Sequence, residues 1–186
     1  MKNLRLSVLS KEVLVHNIKQ LIEIDCQTSE LLGIKYGKPW GEKEFLFEVQ
    51  DKWKYSVCAL EEDKVVGFII ISKYGMNIHS HRLAMNVFFD SSKKIHITKK
   101  LYEKLEEIAR KNNIMSLTAI VPIDNLSTVR FYLKEGWIQL DNKKIDKFIL
   151  QRHMNAYSLE PNLMIDKISI PDEPDKSYVL KYNYER

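Results

Sequence analysis

The sequence predicts an α/β (α+β) fold, a sheet with helices on its faces. Three observations predict it. Strand and helix periodicities mix along the chain in the order strand, helix, helix, strands, helix, strand, helix, strands. The composition is globular: 45% apolar and 29% charged residues exclude wholesale disorder and collagen-like structure. The length, 186 residues, suits one domain plus an appendage, and no internal repeat or low-complexity tract divides it.

Leu4, Leu6 and Val8 alternate with polar residues and read as a short strand. Ser10 then offers an N-cap, with Glu12 in the first turn, and Val13, Leu14, Ile18, Leu21 and Ile22 recur at helical spacing. This predicts an amphipathic helix over 11–26. Gly33, Gly37, Pro39 and Gly41 mark a loop containing Trp40. A second helix is expected over 43–51, with Phe45, Leu46 and Val49 inward. Tyr55 to Leu60, the turn Glu61 to Lys64, and Val65 to Ile71 read as a hairpin with a buried second strand. After a turn at 73–77, a long strand is expected over 78–89. The clearest helix is 99–112, with Leu101, Leu105, Ile108 and Ala109 as its apolar stripe and Glu103, Lys104, Glu106 and Glu107 facing water.

Leu117 to Val121 is a strand closed by Pro122. Asp124 or Asn125 caps a further helix ending at Gly136, with Val129, Phe131 and Leu133 inward. Trp137 to Leu140 and Phe148 to Leu150 read as a strand pair. Beyond Met154, Pro161, Pro171 and Pro174 and an acidic run mark an irregular extension, and the alternation from Tyr178 to Tyr184 suggests an extra strand. The expected domains are therefore 1–153 and a C-terminal extension, 154–186.

Several classes are excluded at this level. Lys and Arg total 29 against 25 Asp and Glu, a net +4 with both signs interleaved, which gives no nucleic-acid-coating chain. Cys26 and Cys58 read as free core thiols, although one bond between them is the alternative; without a CxxC or Cys/His cluster, no metal site is expected. The N-terminus has no signal-peptide pattern, and apolar runs such as Phe68 to Ile71 are far below a membrane span. A cytoplasmic protein with no membrane partner is the expectation.

Two segments carry chemistry. Lys93, Lys94, Lys99 and Lys100, with Ser91, Ser92 and Thr98, surround a helix entry, where unpaired N–H groups and the dipole attract phosphate. The plain alternative is a solvated basic turn. No GxGxxG or Walker loop is present, so a Rossmann or P-loop site has no support. In the second segment, Asn125 and Tyr132 are seven residues apart and share a helix face. A phenol held there can donate a proton to a leaving group. A capping asparagine and a core tyrosine would look the same by spacing alone.

Asn125, Val129, Phe131, Tyr132, Lys134, Gly136 and Trp137 resemble the N-x-x-A-x-x-F-Y-x-K-x-G-F segment of the GNAT superfamily of acyl-CoA N-acyltransferases. The element order and Pro39-Trp40 fit as well, so the resemblance covers about 4–153. It implies a GNAT-like mixed, mostly antiparallel central sheet flanked by helices. It also implies acyl transfer, usually of acetyl, from acetyl-CoA or another acyl-CoA to a primary amine by direct attack in a ternary complex. No metal is implied. Tyr132 matches the usual acid. The coenzyme would meet Val87, Phe88, Phe89, Lys93, Lys94, Ile95, His96, Ile97, Thr98, Asn125 and Tyr132, with a backbone N–H near Phe88 polarising the thioester carbonyl. Every glycine of the family's coenzyme loop is replaced here, with Lys93 at the basic position. The usual strand carboxylate falls on Arg82 or Leu83, neither of which is a base; His81, or His79, takes that place, against the plain reading of a structural histidine. The acceptor would lie among Glu30, Tyr36, Trp40 and Asp141, which suit a small cationic amine, an amino sugar or a peptide N-terminus. The extension is where specificity or homodimer contacts are expected. The glycine-free loop and absent carboxylate also fit a catalytically silent acyl-CoA-binding or regulatory module, and the lysine cluster a nucleic-acid-associated protein.

Overall fold

In the computed structural model of the chain, residues 4–33, 38–122, 125–140, 147–153, 162–165 and 180–183 are described. Two compact units divide the chain, Met1–Met154 and Asn155–Arg186. The first is built on seven strands: β1 (Leu4–Val8), β2 (Val57–Glu61), β3 (Lys64–Tyr74), β4 (Asn77–Met85), β5 (Ser116–Pro122), β6 (Ile138–Leu140) and β7 (Lys147–His153). Their order across the sheet is β1-β2-β3-β4-β5-β7-β6. Every pairing is antiparallel except β4 with β5, which is parallel. This is the mixed, mostly antiparallel α/β sheet expected from the sequence. The second unit holds an antiparallel pair, β8 (Asn162–Ile165) and β9 (Leu180–Asn183).

Five helices complete the described residues: α1 (Lys11–Leu32), α2 (Glu42–Leu46), α3 (Lys52–Tyr55), α4 (Ser91–Lys111) and α5 (Leu126–Lys134). Alternation along the strands feeds two cores. Val57, Ile69, Ile71, Ile78 and Leu117 pack with Ile97, Leu101 and Leu105 of α4. Cys58, Phe68, Ile70 and Ala84 pack with Leu14, Leu21 and Ile24 of α1. Gly67 lies on β3 under α4. A Cβ there would stand 3.2 Å from Met85 Cβ and 3.3 Å from Ile97 Cγ2, so glycine lets the helix approach the sheet.

Four boundaries around the site differ from the sequence expectation, apart from strand ends such as β3, which runs to Tyr74. Helix α1 runs to Leu32 rather than 26, because its inward stripe continues as polar residues that find partners. Asp25 is fully buried and Thr28 donates to the carbonyls of Ile24 (2.8 Å) and Met85 (3.3 Å). The expected 43–51 helix is two short ones. The buried Lys52 ammonium donates to the carbonyls of Phe45 (2.6 Å) and Phe47 (2.8 Å), ending α2 there, and Asp51 turns the chain at φ 56°. Strand β4 stops at Met85 instead of 89. Helix α4 starts at Ser91, not 99, because the Asp90 carboxylate caps it, accepting from Lys93 N at 2.9 Å. On α5, Leu133 is 44% exposed instead of inward, whereas Val129 is buried.

One ion pair ties both sheet and helices to the 38–41 loop. Arg82 on β4 donates from Nε to Asp25 Oδ1 (2.5 Å) and from its terminal amine to Asp25 Oδ2 (2.8 Å) and Ser29 Oγ (2.7 Å). Arg82 also donates to the Lys38 carbonyl, and Trp40 N–H donates to Asp25 Oδ2 at 2.7 Å. Removing one partner strands a buried charge. We expect Asp25→Asn to cost about 3–5 kcal/mol in urea unfolding. The double replacement Asp25→Leu with Arg82→Met should restore most of that loss; a single variant within about 1 kcal/mol of wild type would contradict this account.

A second cross-strand contact is titratable. His79 Nδ1 on β4 and Thr118 Oγ1 on β5 hydrogen-bond at 2.8 Å, and burial lowers the imidazole to about 4 from 6.5. Between those values the unfolded chain binds more protons than the folded one. Stability from His79 is therefore full above about pH 6.5 and falls as the pH drops toward 4, by on the order of 3 kcal/mol. His81, lowered in the same direction, adds to this. Unfolding free energies measured from pH 7 to 4 should show the fall, with a shallower slope in His79→Gln.

Candidate active site

The site begins where β4 and β5 part. They pair from Asn77↔Ser116 to Ser80↔Ala119 and no further. Beyond that rung β4 stays with β3 through Met85, while β5 stays with β7 through Pro122. Two strands drawn to opposite neighbours diverge, and a slot opens between their C-terminal ends.

A bulge on β4 sits at the mouth of this slot. Ile70 faces Arg82 but Ile71 faces Ser80, so His81 is the extra residue. Without a bulge, His79 and Arg82 would point to opposite faces. With it, both point to the α1 side, Arg82 toward Asp25 and His79 toward Thr118. His81 joins that side: its Nε2 hydrogen-bonds Ser72 Oγ, and its ring meets His79 edge-on, with centroids 4.9 Å apart. The other nitrogen, Nδ1, is buried and has no hydrogen-bond partner. Burial first, then His79 and the Lys52 charge, hold the His81 pKa well below 6.5. The ring is therefore neutral at physiological pH. Ser72 and Thr118, which orient the two imidazoles, went unnoticed in the sequence; their hydroxyls sit at strand positions whose neighbours Ile71, Leu117 and Ala119 face the other core.

Tyr132 lies on the opposite, α4 side of the sheet. It is buried in a cluster with Phe131, Trp137 and Tyr102. Its hydroxyl meets that of Tyr102 at 2.5 Å. Asn125 caps α5, accepting from Thr128 N at 3.3 Å. Tyr102 was not singled out from the sequence. The available signal was its place on the α4 stripe, three residues before Leu105 and seven before Ala109.

The expected coenzyme segment is rearranged. Because α4 starts at Ser91, residues 93–98 are helical, and Lys94 N already donates to Asp90 O at 3.0 Å. From there on the amides serve the helix ladder and do not face a ligand. Ile97 and Thr98 are buried, Ile97 among core residues; Thr98 Oγ1 donates to Lys94 O at 2.9 Å. Ile95 is exposed and His96 half-buried. Lys93 bridges to Glu61 on β2 at 2.8 Å and lies over the Phe89 ring, and Lys94 donates to Val87 O at 2.8 Å. Lys99 pairs with Glu135, and Lys100 with Glu103. Phe88 is 82% exposed past the end of β4, and its N–H donates to Asn86 Oδ1 at 3.0 Å. The β4 residues past its last rung with β5 are His81 to Met85.

On the acceptor side, Glu30 is exposed near the end of α1 and accepts from Cys26 Sγ at 3.5 Å. Trp40 is buried, its ring against Phe45 and the Arg82 guanidinium, so it packs as core rather than lining an open loop. Tyr36 and Asp141 lie outside the described residues. Cys26 and Cys58 are both free thiols. Among the described residues no group of three or more His, Cys, Asp or Glu could hold a metal, and no helix is long and apolar enough to cross a membrane.

The fold is shared with solved structures. PaiA N-acetyltransferase from Thermoplasma acidophilum, in complex with coenzyme A, superimposes with a TM-score of 0.62 at 18% identity, over 82% of this chain and 99% of that one. The ribosomal-protein-S18-alanine N-acetyltransferase of Escherichia coli gives 0.64 at 14% identity, over 85% and 99%. The aminoglycoside 6'-N-acetyltransferase of Enterococcus faecium gives 0.63 at 15% identity, over 83% and 99%. No curated protein sequence matches the chain. These likenesses concern the fold. Residues 21–137, from α1 through the Tyr132 helix to Trp137, match the acetyltransferase (GNAT) family profile, and the chain belongs to that family.

Proposed function

We propose that the protein moves an acetyl or other short acyl group from acyl-CoA to a primary amine by direct attack in a ternary complex. The observation that carries this reading is the slot between β4 and β5, with His81 on one side of the sheet and Tyr132 on the other. When bound, the coenzyme supplies the activated thioester. The pantetheine arm fits the slot, leaving its pyrophosphate to the start of α4 around Lys93 and Lys94. The amine approaches from the α1 side, with the neutral His81 as its proton acceptor. Tyr132 donates its proton to the departing sulfur. The acceptor class is a small cationic amine, an amino sugar or a peptide N-terminus, with Glu30 as the described carboxylate nearest to that role. A cytoplasmic setting suits such a cosubstrate.

One observation favours a second reading, a catalytically silent acyl-CoA-binding module. The Asp90 carboxylate sits at the α4 N-terminus, where a phosphate would otherwise be drawn, and residues 93–98 offer few amides. Calorimetry with acetyl-CoA and a mass-resolved assay over an amine panel separate the readings. Binding with amide formation supports acyl transfer; binding without it supports the silent module; no binding at millimolar coenzyme overturns both. With an active acceptor in hand, Tyr132→Phe should lower kcat about 100-fold, and His81→Ala about 10- to 100-fold with the larger loss below neutral pH. Asp90→Asn keeps a good cap but removes the charge, and should tighten coenzyme binding about fivefold at low salt.

A further inference from the structure

We propose that Tyr102 is a positioning residue for the proton donor, holding Tyr132 by a hydrogen bond that strengthens as Tyr132 loses its proton. The inference rests on the acyl-transfer reading above. The two hydroxyls are 2.5 Å apart, at the short end for O–H···O contacts. Both tyrosines are buried, and with Trp137 they form a triangle of edge-on rings whose centroids are 5.7, 5.2 and 4.7 Å apart. Such packing fixes each ring and leaves little freedom to the hydroxyls. It also makes ionisation costly, because a phenolate among aromatic rings has lost its water.

The transfer proposed above includes that ionisation. The amine nitrogen forms a bond to the acyl carbon and gives up one proton, which leaves through His81 to solvent. The carbon–sulfur bond breaks with its electron pair on sulfur, and sulfur takes the Tyr132 proton. Tyr132 is left as phenolate until solvent returns a proton, so the sum is thioester plus amine to amide plus thiol. For Tyr132 to aim its proton at sulfur, Tyr102 must be the donor in the pair. The Tyr102 hydroxyl then faces a full negative charge at the moment it forms. A hydrogen bond to a charged partner is stronger than one to a neutral partner, so the gain falls on the step and not on binding.

Tyr102 comes from α4 and Tyr132 from α5, so the pair also sets the donor against the helix that would meet the coenzyme. The replacement Tyr102→Phe keeps the ring and removes only the hydroxyl. We expect kcat to fall about tenfold or more, with the KM for acetyl-CoA within about twofold and the alkaline limb of the kcat–pH profile moved upward by about one unit. A second readout needs no turnover. Tyrosinate absorbance is titrated in the coenzyme-free protein, as wild type minus Tyr132→Phe and as Tyr102→Phe minus the double variant. Tyr132 should ionise at higher pH when Tyr102 is absent. Circular dichroism and the urea midpoint check that Tyr102→Phe is folded. Equal titrations with an unchanged pH profile overturn the pairing. If wild type transfers no acyl group to any amine, the functional reading fails, and the role of Tyr102 with it; turnover that is indifferent to Tyr102→Phe overturns the inference alone.

Discussion

The buried Asp25–Arg82 pair is the constraint on which the active-site side of the molecule is built. A guanidinium 3% exposed beside a carboxylate 0% exposed must be satisfied from several elements at once. Here α1 supplies Asp25 and Ser29, β4 supplies Arg82, and the 38–41 loop supplies the Lys38 carbonyl and the Trp40 amide. That demand explains why α1 runs on for two turns past its apolar stripe. It explains why Trp40 is core. It also explains the bulge: only an extra residue in β4 lets Arg82 reach α1 while His79 still faces Thr118 on β5. His81, the residue made extra, is thereby placed just past the last paired rung, Ser80↔Ala119, where the strands diverge.

This arrangement separates two kinds of environment across one sheet. The α1 side holds groups that gain by staying neutral: two imidazoles pushed down by burial, each tied to a hydroxyl. The α4 side holds phenols in an aromatic cage, where neutrality is again the low-energy state. A thioester carbonyl between them would meet a base that accepts and an acid that donates, with no fixed charge on either to stabilise the wrong state. The Lys52 ammonium reinforces the neutrality of His81 although its own hydrogen bonds go to the end of α2.

The fold was legible in the sequence because its signals are local. Alternation marks β2, an apolar run marks β3, the Ser10 and Asn125 caps mark α1 and α5, and the Leu101–Leu105–Ile108 stripe marks α4. Tyr132 was legible through the residues around it. What escaped was set by contacts distant in sequence. The end of α1 carries Asp25, Thr28 and Ser29 inward, which reads as a helix turning polar until Arg82, far along the chain, is placed against it. Tyr102 looked like one more ring on an apolar stripe until Tyr132 packed on it. The start of α4 escaped for another reason: Ser91, Ser92, Ile95, Ile97 and Thr98 favour turns or strands locally, and only the Asp90 cap and the packing of Ile97 under Gly67 decide for helix.

That last competition bears directly on function. In the coenzyme loop this segment resembles, glycines keep the backbone open to phosphate. Here Lys94, His96 and Thr98 stand at those positions; Thr98 is buried and donates from Oγ1 to Lys94 O at 2.9 Å, inside the helix. The chain runs these positions as helix, and its amides from Lys94 onward serve the helix ladder. In the acyl-transfer reading, phosphate recognition would therefore fall to side chains more than to backbone. Lys93 and Lys94 already lie at the helix start, but each is held by a partner, Glu61 and the Val87 carbonyl. A polyphosphate must outbid a half-exposed ion pair and a single hydrogen bond, contacts of about 1 kcal/mol each. Both lysines can be recruited at that cost, and the affinity that results should fall with salt more steeply than a glycine loop's would, because it rests on ammonium charge and less on fixed N–H groups.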